Sequence, residues 1–362
     1  MKIGMTEIAK ILMGSQILGC GGGGDADEGF STATEAIGKG TVELITMDEL
    51  LARGEDGIIV TISGVGSPAS EEAYYGPEVY PVILDALQNK VQKKIIGFIA
   101  CEIGGSSSFE PFIPAALMNV PVIDAPCDGR AHPLGVMGAL GLEKKGEPVW
   151  QSAAGGKAEN NKYIELLVSG SVESASNLVR NAAAEAGGAV AVARNPVTKD
   201  WLKDTGAAGA YAQAMHLAEV WSKTGTTSQK VQYLADALHG EVVCHGTISD
   251  FQLITENALD NGSFTINGNK KCLLHFFNEY MTLDIDGERH STFPDVMITV
   301  DASLGTILTT ADIQNGRDVY LITARRENII IGRGLRYRAA YERIQDIIGV
   351  NLTDYVKDIL LD

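Results

Sequence analysis

The densest group of side chains that can do chemistry lies within nine residues after a predicted strand. It contains Asp124, Cys127, Asp128, Arg130 and His132. Aspartate, cysteine and histidine are all zinc ligands, and a catalytic zinc takes three protein ligands and leaves one position open. Asp124, Cys127 and His132 are therefore the predicted ligands of a divalent metal, with zinc as the expected ion. The alternative is that Asp124 caps the loop backbone while Cys127 and His132 are packed in the interior.

A second candidate pair, Cys101 and Glu102, follows the preceding predicted strand. Neighbouring parallel strands end at the same edge of a sheet, so Glu102 is expected beside Asp124, and the two carboxylates are candidates for acid and base catalysis. Alternation along a strand would turn Cys101 and Glu102 to opposite faces, which favours Glu102 as the residue in the crevice. Cys101 is a candidate nucleophile if a nearby cation lowers its pKa; the alternative is packing in the core.

Two glycine-rich segments are expected to approach the same crevice. The first follows a predicted helix, and the second follows Glu102; the residues concerned are Gly22, Gly23, Gly24, Asp25, Gly104 and Gly105. Glycine permits positive φ angles and close approach of the backbone, and successive N–H groups can form a concave anion site. These residues are predicted to bind substrate, and the alternatives are a helix end followed by a tight turn and a plain βα turn.

Asn278 and Glu279 form a polar pair that interrupts an apolar strand in the second half of the chain. They could reach the crevice from a second domain and hold substrate, although an ordinary structural role is the alternative. Arg130 is the predicted partner of a substrate carboxylate, because a guanidinium group binds a carboxylate through two parallel hydrogen bonds.

The elements that position these residues alternate between strand and helix. Apolar runs at residues 57–64, 94–100 and 120–124 are separated by helical patterns at residues 77–89 and 111–118. This order predicts an α/β domain with a mostly parallel sheet. The crevice would be formed by the loops at residues 64–68, 101–108 and 124–133, because ligands bind at the carboxyl ends of parallel strands.

The pattern changes near residue 239, where short alternating runs separated by Asn-Gly and Asp-Gly turns begin. The predicted division is an α/β domain over residues 1–238 and a β-rich, all-β domain over residues 239–334. The tail at residues 335–362 contains a final helix that is expected to pack back on the α/β domain.

Composition excludes several classes of function. The chain has 362 residues and a formal net charge of -17, which disfavours binding to nucleic acid or anionic membranes. No apolar run approaches the about 20 residues of a membrane span, and no signal-peptide pattern opens the sequence, so a cytoplasmic location is predicted. The five cysteines show no CxxC spacing and are expected to be free thiols. A homo-oligomer is also expected.

The motifs together resemble one family, the S-methyl-thiohydantoin desulfurase-like family. They are, in chain order, Gly21-Gly22-Gly23-Gly24-Asp25, Glu102-x-Gly104-Gly105, Asp124, Gly129-Arg130-Ala131-x-Pro133, Asn278-Glu279 and Pro294-Asp295. The resemblance extends over nearly the whole chain and implies an α/β domain joined to a β-rich domain.

The resemblance implies a hydrolase that acts on a small hydantoin-like or S-methyl-thiohydantoin-like ring. In the namesake reaction, water replaces the S-methyl group and methanethiol leaves; a metal-bound water would suit that attack. Proteins of this family often occur beside hydantoinase and oxoprolinase proteins. The alternative is therefore a non-catalytic accessory subunit of a hydantoinase- or oxoprolinase-type complex. A third hypothesis is an enzyme that uses Cys101.

Overall fold

The computed structural model describes residues 1–66, 72–256 and 259–361, and of Glu256 it describes only the backbone. Ser67 and Pro68, in the first predicted crevice loop, lie outside the described residues. Within the described part there are ten α-helices: α1 Met5–Gly19, α2 Ala26–Lys39, α3 Met47–Ala52, α4 Val79–Val91, α5 Phe112–Met118, α6 Val172–Glu185, α7 Lys199–Thr205, α8 Ala210–Trp221, α9 Thr227–Ala237 and α10 Arg338–Ile348. None of these helices has both the length and the apolar composition of a membrane-crossing segment.

The described residues also form fifteen strands in two sheets. The first seven are β1 Leu44–Ile45, β2 Ile58–Gly66, β3 Ile95–Ala100, β4 Val122–Ile123, β5 Val149–Gly155, β6 Ile164–Gly170 and β7 Ala189–Val197. The other eight are β8 Glu241–Glu256, β9 Leu259–Gly268, β10 Lys271–Phe277, β11 Glu279–Ile285, β12 Glu288–Thr292, β13 Val296–Asp301, β14 Ile307–Leu308 and β15 Asp318–Ala324.

The first sheet confirms the predicted α/β architecture. Its seven strands have the order β1-β4-β3-β2-β7-β5-β6, and β1, β4, β3 and β2 pair in parallel. β7 and β6 run against their neighbours, so the sheet is mixed, with five of its seven strands in one direction. β3 is buried along its whole length, as expected for a strand covered on both faces.

The second sheet is antiparallel and has eight strands in the order β12-β11-β10-β9-β8-β15-β13-β14. Helices α1, α8 and α9 join it to the α/β part, because residues of α1 and α8 share one buried apolar cluster with β13 and β15. A single apolar core therefore connects the two sheets and fixes their relative position.

The final helix α10 packs on the α/β domain through Leu134 and Met137, as predicted. The same apolar cluster also contains Phe277, Met281 and Phe293 of the β-rich part. α10 therefore covers the junction of the two halves rather than the α/β domain alone.

Candidate active site

Cys101, Glu102 and His132 come together where β3 and β4 end. The His132 Nε2 atom lies 3.8 Å from Cys101 Sγ and 3.5 Å from Glu102 Oε2. The backbone N–H of His132 also donates to Glu102 Oε2 at 2.9 Å. The prediction that only Glu102 faces this point is wrong: β3 ends at Ala100, so strand alternation no longer governs the next two residues.

Asp128 is the second carboxylate beside His132. Its Oδ2 atom lies 3.3 Å from His132 Nε2, and its Oδ1 atom accepts a hydrogen bond from the N–H of Gly332. Asp128 is completely buried. Glu102, Asp128 and the Cys101 sulfur thus all approach the same ring nitrogen, His132 Nε2.

A guanidinium group contributed by β7 contacts the same sulfur. Arg194 Nη2 donates to Cys101 Sγ at 2.9 Å, and Arg194 is buried. The thiol of Cys127 hydrogen-bonds both Cys101 and Thr61. The Cys127 hydrogen bond, the Arg194 charge and His132 together lower the pKa of Cys101 well below its usual range, against the opposing effect of burial. Each of these three contacts stabilises the thiolate form of Cys101 relative to the neutral thiol.

The pKa shifts of the neighbours follow from the same arrangement. Burial works against the charged form of His132, but Glu102, Cys101 and Asp128 raise its pKa to about 10, so the imidazolium is stable at neutral pH. Burial raises the pKa of Glu102 and, more strongly, that of Asp128, while His132 opposes both shifts. The same contacts therefore stabilise a thiolate beside an imidazolium, the pair used by cysteine nucleophiles.

The first glycine segment runs between the Gly104 loop and strand β11. The C-cap of α1 is Cys20, which adopts the left-handed conformation with φ 48°. The Gly23 carbonyl accepts hydrogen bonds from Ser106 N and Ser107 Oγ, at 3.1 and 2.8 Å. The segment thus both ends the helix and borders the cluster, because Ser107 Oγ also lies 2.8 Å from Glu102 Oε1.

Close packing accounts for glycine at several of these positions. A Cβ on Gly23, which has φ +84°, would lie 2.5 Å from the Gly104 Cα, and one on Gly105 would lie 2.4 Å from the Gly24 carbonyl oxygen. Asp25 is exposed and serves as the N-cap of α2 by accepting from the N–H of Glu28. Substrate binding by these residues stays a prediction.

Glu279 reaches the cluster from the β-rich half. It is 2% exposed, and a Cβ on Gly22 would lie 2.1 Å from its Oε1 atom, so only glycine leaves room for this carboxyl. Burial, and next the Glu102 charge, raise the pKa of Glu279 to about 8. Asn278 instead has a structural role: its side chain accepts from Asp260 N at 2.8 Å.

Arg130 is buried over the ring of Phe293, with its guanidinium carbon 4.4 Å from the ring centroid. It donates to the carbonyl of Asp295 at 2.7 Å, and the Asp295 carboxylate binds Arg326. Arg130 thus links the loop after β4 to the β-rich half.

Unpaired buried atoms are concentrated around this cluster. Among the residues that the structure describes, five buried atoms of the cluster and its neighbours lack a hydrogen-bond partner: Asp128 Oδ2, Arg130 Nη2, His132 Nδ1, Arg194 Nε and Glu279 Oε2. Asp128 Oδ2 keeps only its ionic contact with His132. Buried polar atoms in folded proteins are nearly always paired, so unpaired atoms at one place indicate a site that a polar ligand or water completes.

The predicted metal ligands do not fit a common ion. Asp124 accepts from the N–H groups of Tyr211 and Ala212, at 2.7 and 3.2 Å, and so caps the first turn of α8. Its pKa is raised to about 6, chiefly by burial. Cys127 and His132 have the other partners given above, and the described residues include no group of three His, Cys, Asp or Glu side chains arranged to hold a metal. Whether the protein binds zinc stays a prediction.

Sequence reasoning did not assign Asp128 or Arg194 to the site. Arg194 follows the apolar residues 189–193 of β7, and a charged residue in a buried strand is the signal that could have marked it. Asp128 lies in the same segment as Asp124, Cys127 and His132, but its spacing does not distinguish it from Asp124.

The fold and the cluster define a two-domain α/β and β protein with a buried cysteine–histidine–carboxylate site at the end of its parallel strands. Two family models match: the S-Me-THD-like N-terminal domain over residues 6–164 and the S-Me-THD-like C-terminal domain over residues 170–336. The chain belongs to the S-Me-THD-like family. The models divide the chain near residue 167, whereas the predicted division near residue 239 follows the start of the second sheet.

The fold is shared with a solved protein. An X-ray crystal structure of a protein from Chromobacterium violaceum superimposes with a TM-score of 0.73, covering 96% of each chain at 17% sequence identity. At this identity the likeness concerns the fold alone. No curated protein matches the sequence.

Proposed function

We propose that this protein is a hydrolase that removes the methylthio group from a small S-methyl-thiohydantoin-like ring, with Cys101 as the nucleophile. Family membership supports the substrate class. The observation that carries the chemistry is the Cys101 sulfur lying between the Arg194 guanidinium at 2.9 Å and the His132 imidazole at 3.8 Å.

The first half of the reaction transfers the ring to sulfur. The Cys101 thiolate attacks the ring carbon that bears the methylthio group, and a bond from Sγ to carbon forms. The bond from carbon to the methylthio sulfur then breaks. His132, protonated at neutral pH, gives its proton to the leaving thiolate, and methanethiol departs.

The second half restores the thiolate. Water attacks the same carbon, and the now neutral His132 accepts its proton. The second proton of the water moves to the adjacent ring nitrogen as the bond from carbon to Cys101 Sγ breaks, which leaves a carbonyl at that carbon and the thiolate on Cys101. The sum is one ring and one water giving one hydantoin and one methanethiol. Glu102 and Asp128 stabilise the imidazolium in both halves, and Arg194 stabilises the departing thiolate of Cys101.

Turnover of S-methyl-thiohydantoin by the purified protein tests this proposal, with methanethiol measured in the headspace. We expect Cys101→Ser and His132→Gln to lose at least about 1,000-fold in rate, on the scale of losing a nucleophile or its base. Cys244→Ser is the matched control, since Cys244 is also a buried free cysteine but belongs to a β-rich apolar cluster. Turnover that survives Cys101→Ser, or that chelation abolishes and zinc restores, would overturn the cysteine mechanism.

A further inference from the structure

A cavity of about 410 Å³ lies beside the candidate active site but is lined by other residues. Its walls come from Leu134 and Gly135 after His132, the start of α6, and the last helix α10. The described residues that line the cavity do not include Cys101, Glu102 or His132. The volume is that of an ordinary small-molecule site, which typically has about 300 to 1,000 Å³.

Two arginines line this cavity, and their positive charges have few ionic partners among the described residues. Arg180, on α6, is half-buried, and its guanidinium group forms no hydrogen bond or ion pair with any residue in the described part of the chain. Arg343, on α10, has Glu173 as its one ionic partner among the described residues, at 3.7 Å, and both side chains are at least half exposed. Such an exposed pair contributes little, so both guanidinium groups remain available.

The surroundings of Arg180 destabilise its positive charge, so a bound anion would stabilise it. Burial lowers the pKa of Arg180, and the charges of Arg343 and Arg194 lower it further. A guanidinium that is crowded by two other cations and partly removed from water gains more from a bound anion than an exposed one. The carboxylates of Glu147 and Glu173 also line the cavity; both residues are exposed, as is Arg343, so solvent screens these three charges and the half-buried Arg180 is the principal anion-binding group.

Two further features of the cavity are polar. Glu143 lines the cavity and has a buried Oε2 atom without a hydrogen-bond partner among the described residues. Burial raises the pKa of this carboxyl, and the charges of Lys144 and Arg333 oppose the shift. The first residues of α6, a helix of 14 residues, also line the cavity, and the N-terminus of a helix favours negative charge.

Part of the remaining lining is apolar, beside the polar side chains of Ser176 and Asn177. Leu134, Val136, Val172 and Ala340 contribute side chains, and Tyr337 adds an aromatic ring. An inorganic anion would leave this surface without a partner. A ligand with a carboxylate at one end and an apolar or aromatic body at the other would contact both parts of the cavity.

We propose that this cavity is a second binding site, for a small carboxylate with an apolar or aromatic body. Its carboxylate binds Arg180 and Arg343, and its body packs on Leu134 and Val172. The site adjoins the active site through Gly135, where an added Cβ would lie 3.5 Å from Arg194 Nη1. The proposal does not depend on the reaction assigned to Cys101.

Ligand-observed NMR and calorimetry test the proposal on the full chain. The probes are benzoate, phenylacetate, 3-phenylpropionate and N-acetylphenylalanine, each paired with its uncharged carboxamide, and inorganic phosphate. We expect at least one carboxylate to bind, at least about tenfold more tightly than its carboxamide. We expect Arg180→Met and Arg343→Met each to weaken that binding about tenfold or more.

The controls separate this site from others. Arg53→Met removes an arginine that pairs with Glu43 at the surface and should leave binding unchanged. Arg180→Lys keeps the charge without the planar fork and should retain part of the affinity, which shows that the pocket is folded. No binding by any carboxylate, equal binding of the carboxamides, phosphate binding as tight as the best carboxylate, or binding unaffected by Arg180→Met would each overturn the proposal.

Discussion

Replacing Arg194 should raise the pKa of the Cys101 thiol. The guanidinium nitrogen lies 2.9 Å from the sulfur. At that distance and an effective dielectric constant of about 20, the attraction between unit charges is about 6 kcal/mol, or roughly four pKa units. Cys127 and His132 remain in the variant and continue to favour the thiolate. We therefore expect Arg194→Met to raise the thiol pKa toward its ordinary value, because only Cys127 and His132 then oppose the effect of burial.

The assay is the absorbance of the thiolate at 240 nm as a function of pH. Subtracting the Cys101→Ser protein isolates this thiol from the other four cysteines. Arg194→Lys is the matched variant, because it keeps a positive charge and should give a midpoint between wild type and Arg194→Met. Circular dichroism confirms that each variant is folded. A wild-type midpoint near the ordinary value of about 8.5, or a midpoint that Arg194→Met does not move, would refute the reasoning.

Three further predictions concern stability. The pKa of Glu279 is raised from 4.5 to about 8 in the folded protein, so between these pH values the folded state holds a proton that the unfolded state has lost. The free energy of unfolding should therefore fall as pH rises from about 4.5 to 8. Glu279→Gln should flatten this pH dependence in urea titrations, and an equally steep profile in the variant would contradict the prediction. Gly23→Ala should lower the free energy of unfolding by about 3 kcal/mol, because the new side chain has a positive φ angle and overlaps Gly104. Gly38→Ala is the control: it lies in helix α2 with open space around it, and should raise the free energy of unfolding by about 0.5 to 1 kcal/mol. Asp124→Ala should lower the free energy of unfolding by about 1 to 2 kcal/mol, because α8 loses its N-terminal cap. A loss of turnover with no loss of stability would show that Asp124 is catalytic instead.

The architecture was predictable because its signals are local. The buried apolar run of β3 and the turn-punctuated runs after residue 239 follow from burial on two faces and from hairpin chemistry. The placement of α10 at the junction was less predictable. Its apolar face is visible in the sequence, but the partners on that face come from both halves of the chain.

The site was predictable only in part. Glu102 and His132 were found because each follows a strand at the same edge of the sheet. The sequence could not decide the metal ligand set. Asp124 and Cys127 have residue types that suit zinc, but residue type does not reveal where a side chain points. In the structure, Asp124 accepts from an amide of α8 and Cys127 hydrogen-bonds Thr61. Arg194 lies on β7, which pairs antiparallel with β2. Its position in the site depends on this strand pairing, which the local sequence does not reveal.

Several predictions stay untested by the geometry: a hydantoinase- or oxoprolinase-type partner, the homo-oligomer and the cytoplasmic location. Size-exclusion chromatography of the purified chain, alone and with such a partner, addresses the first two. Co-elution that is needed for turnover would favour the accessory role over the independent hydrolase.

Cys101 as the nucleophile is tested most directly by intact-protein mass spectrometry after rapid acid quenching of the enzyme with S-methyl-thiohydantoin. We predict a covalent adduct whose added mass equals that of the ring substrate less methanethiol, located on the peptide that contains Cys101 and absent from Cys101→Ser. Substrate turnover by wild type with no adduct on that peptide at any quench time, together with turnover by Cys101→Ser, would contradict covalent catalysis at this residue.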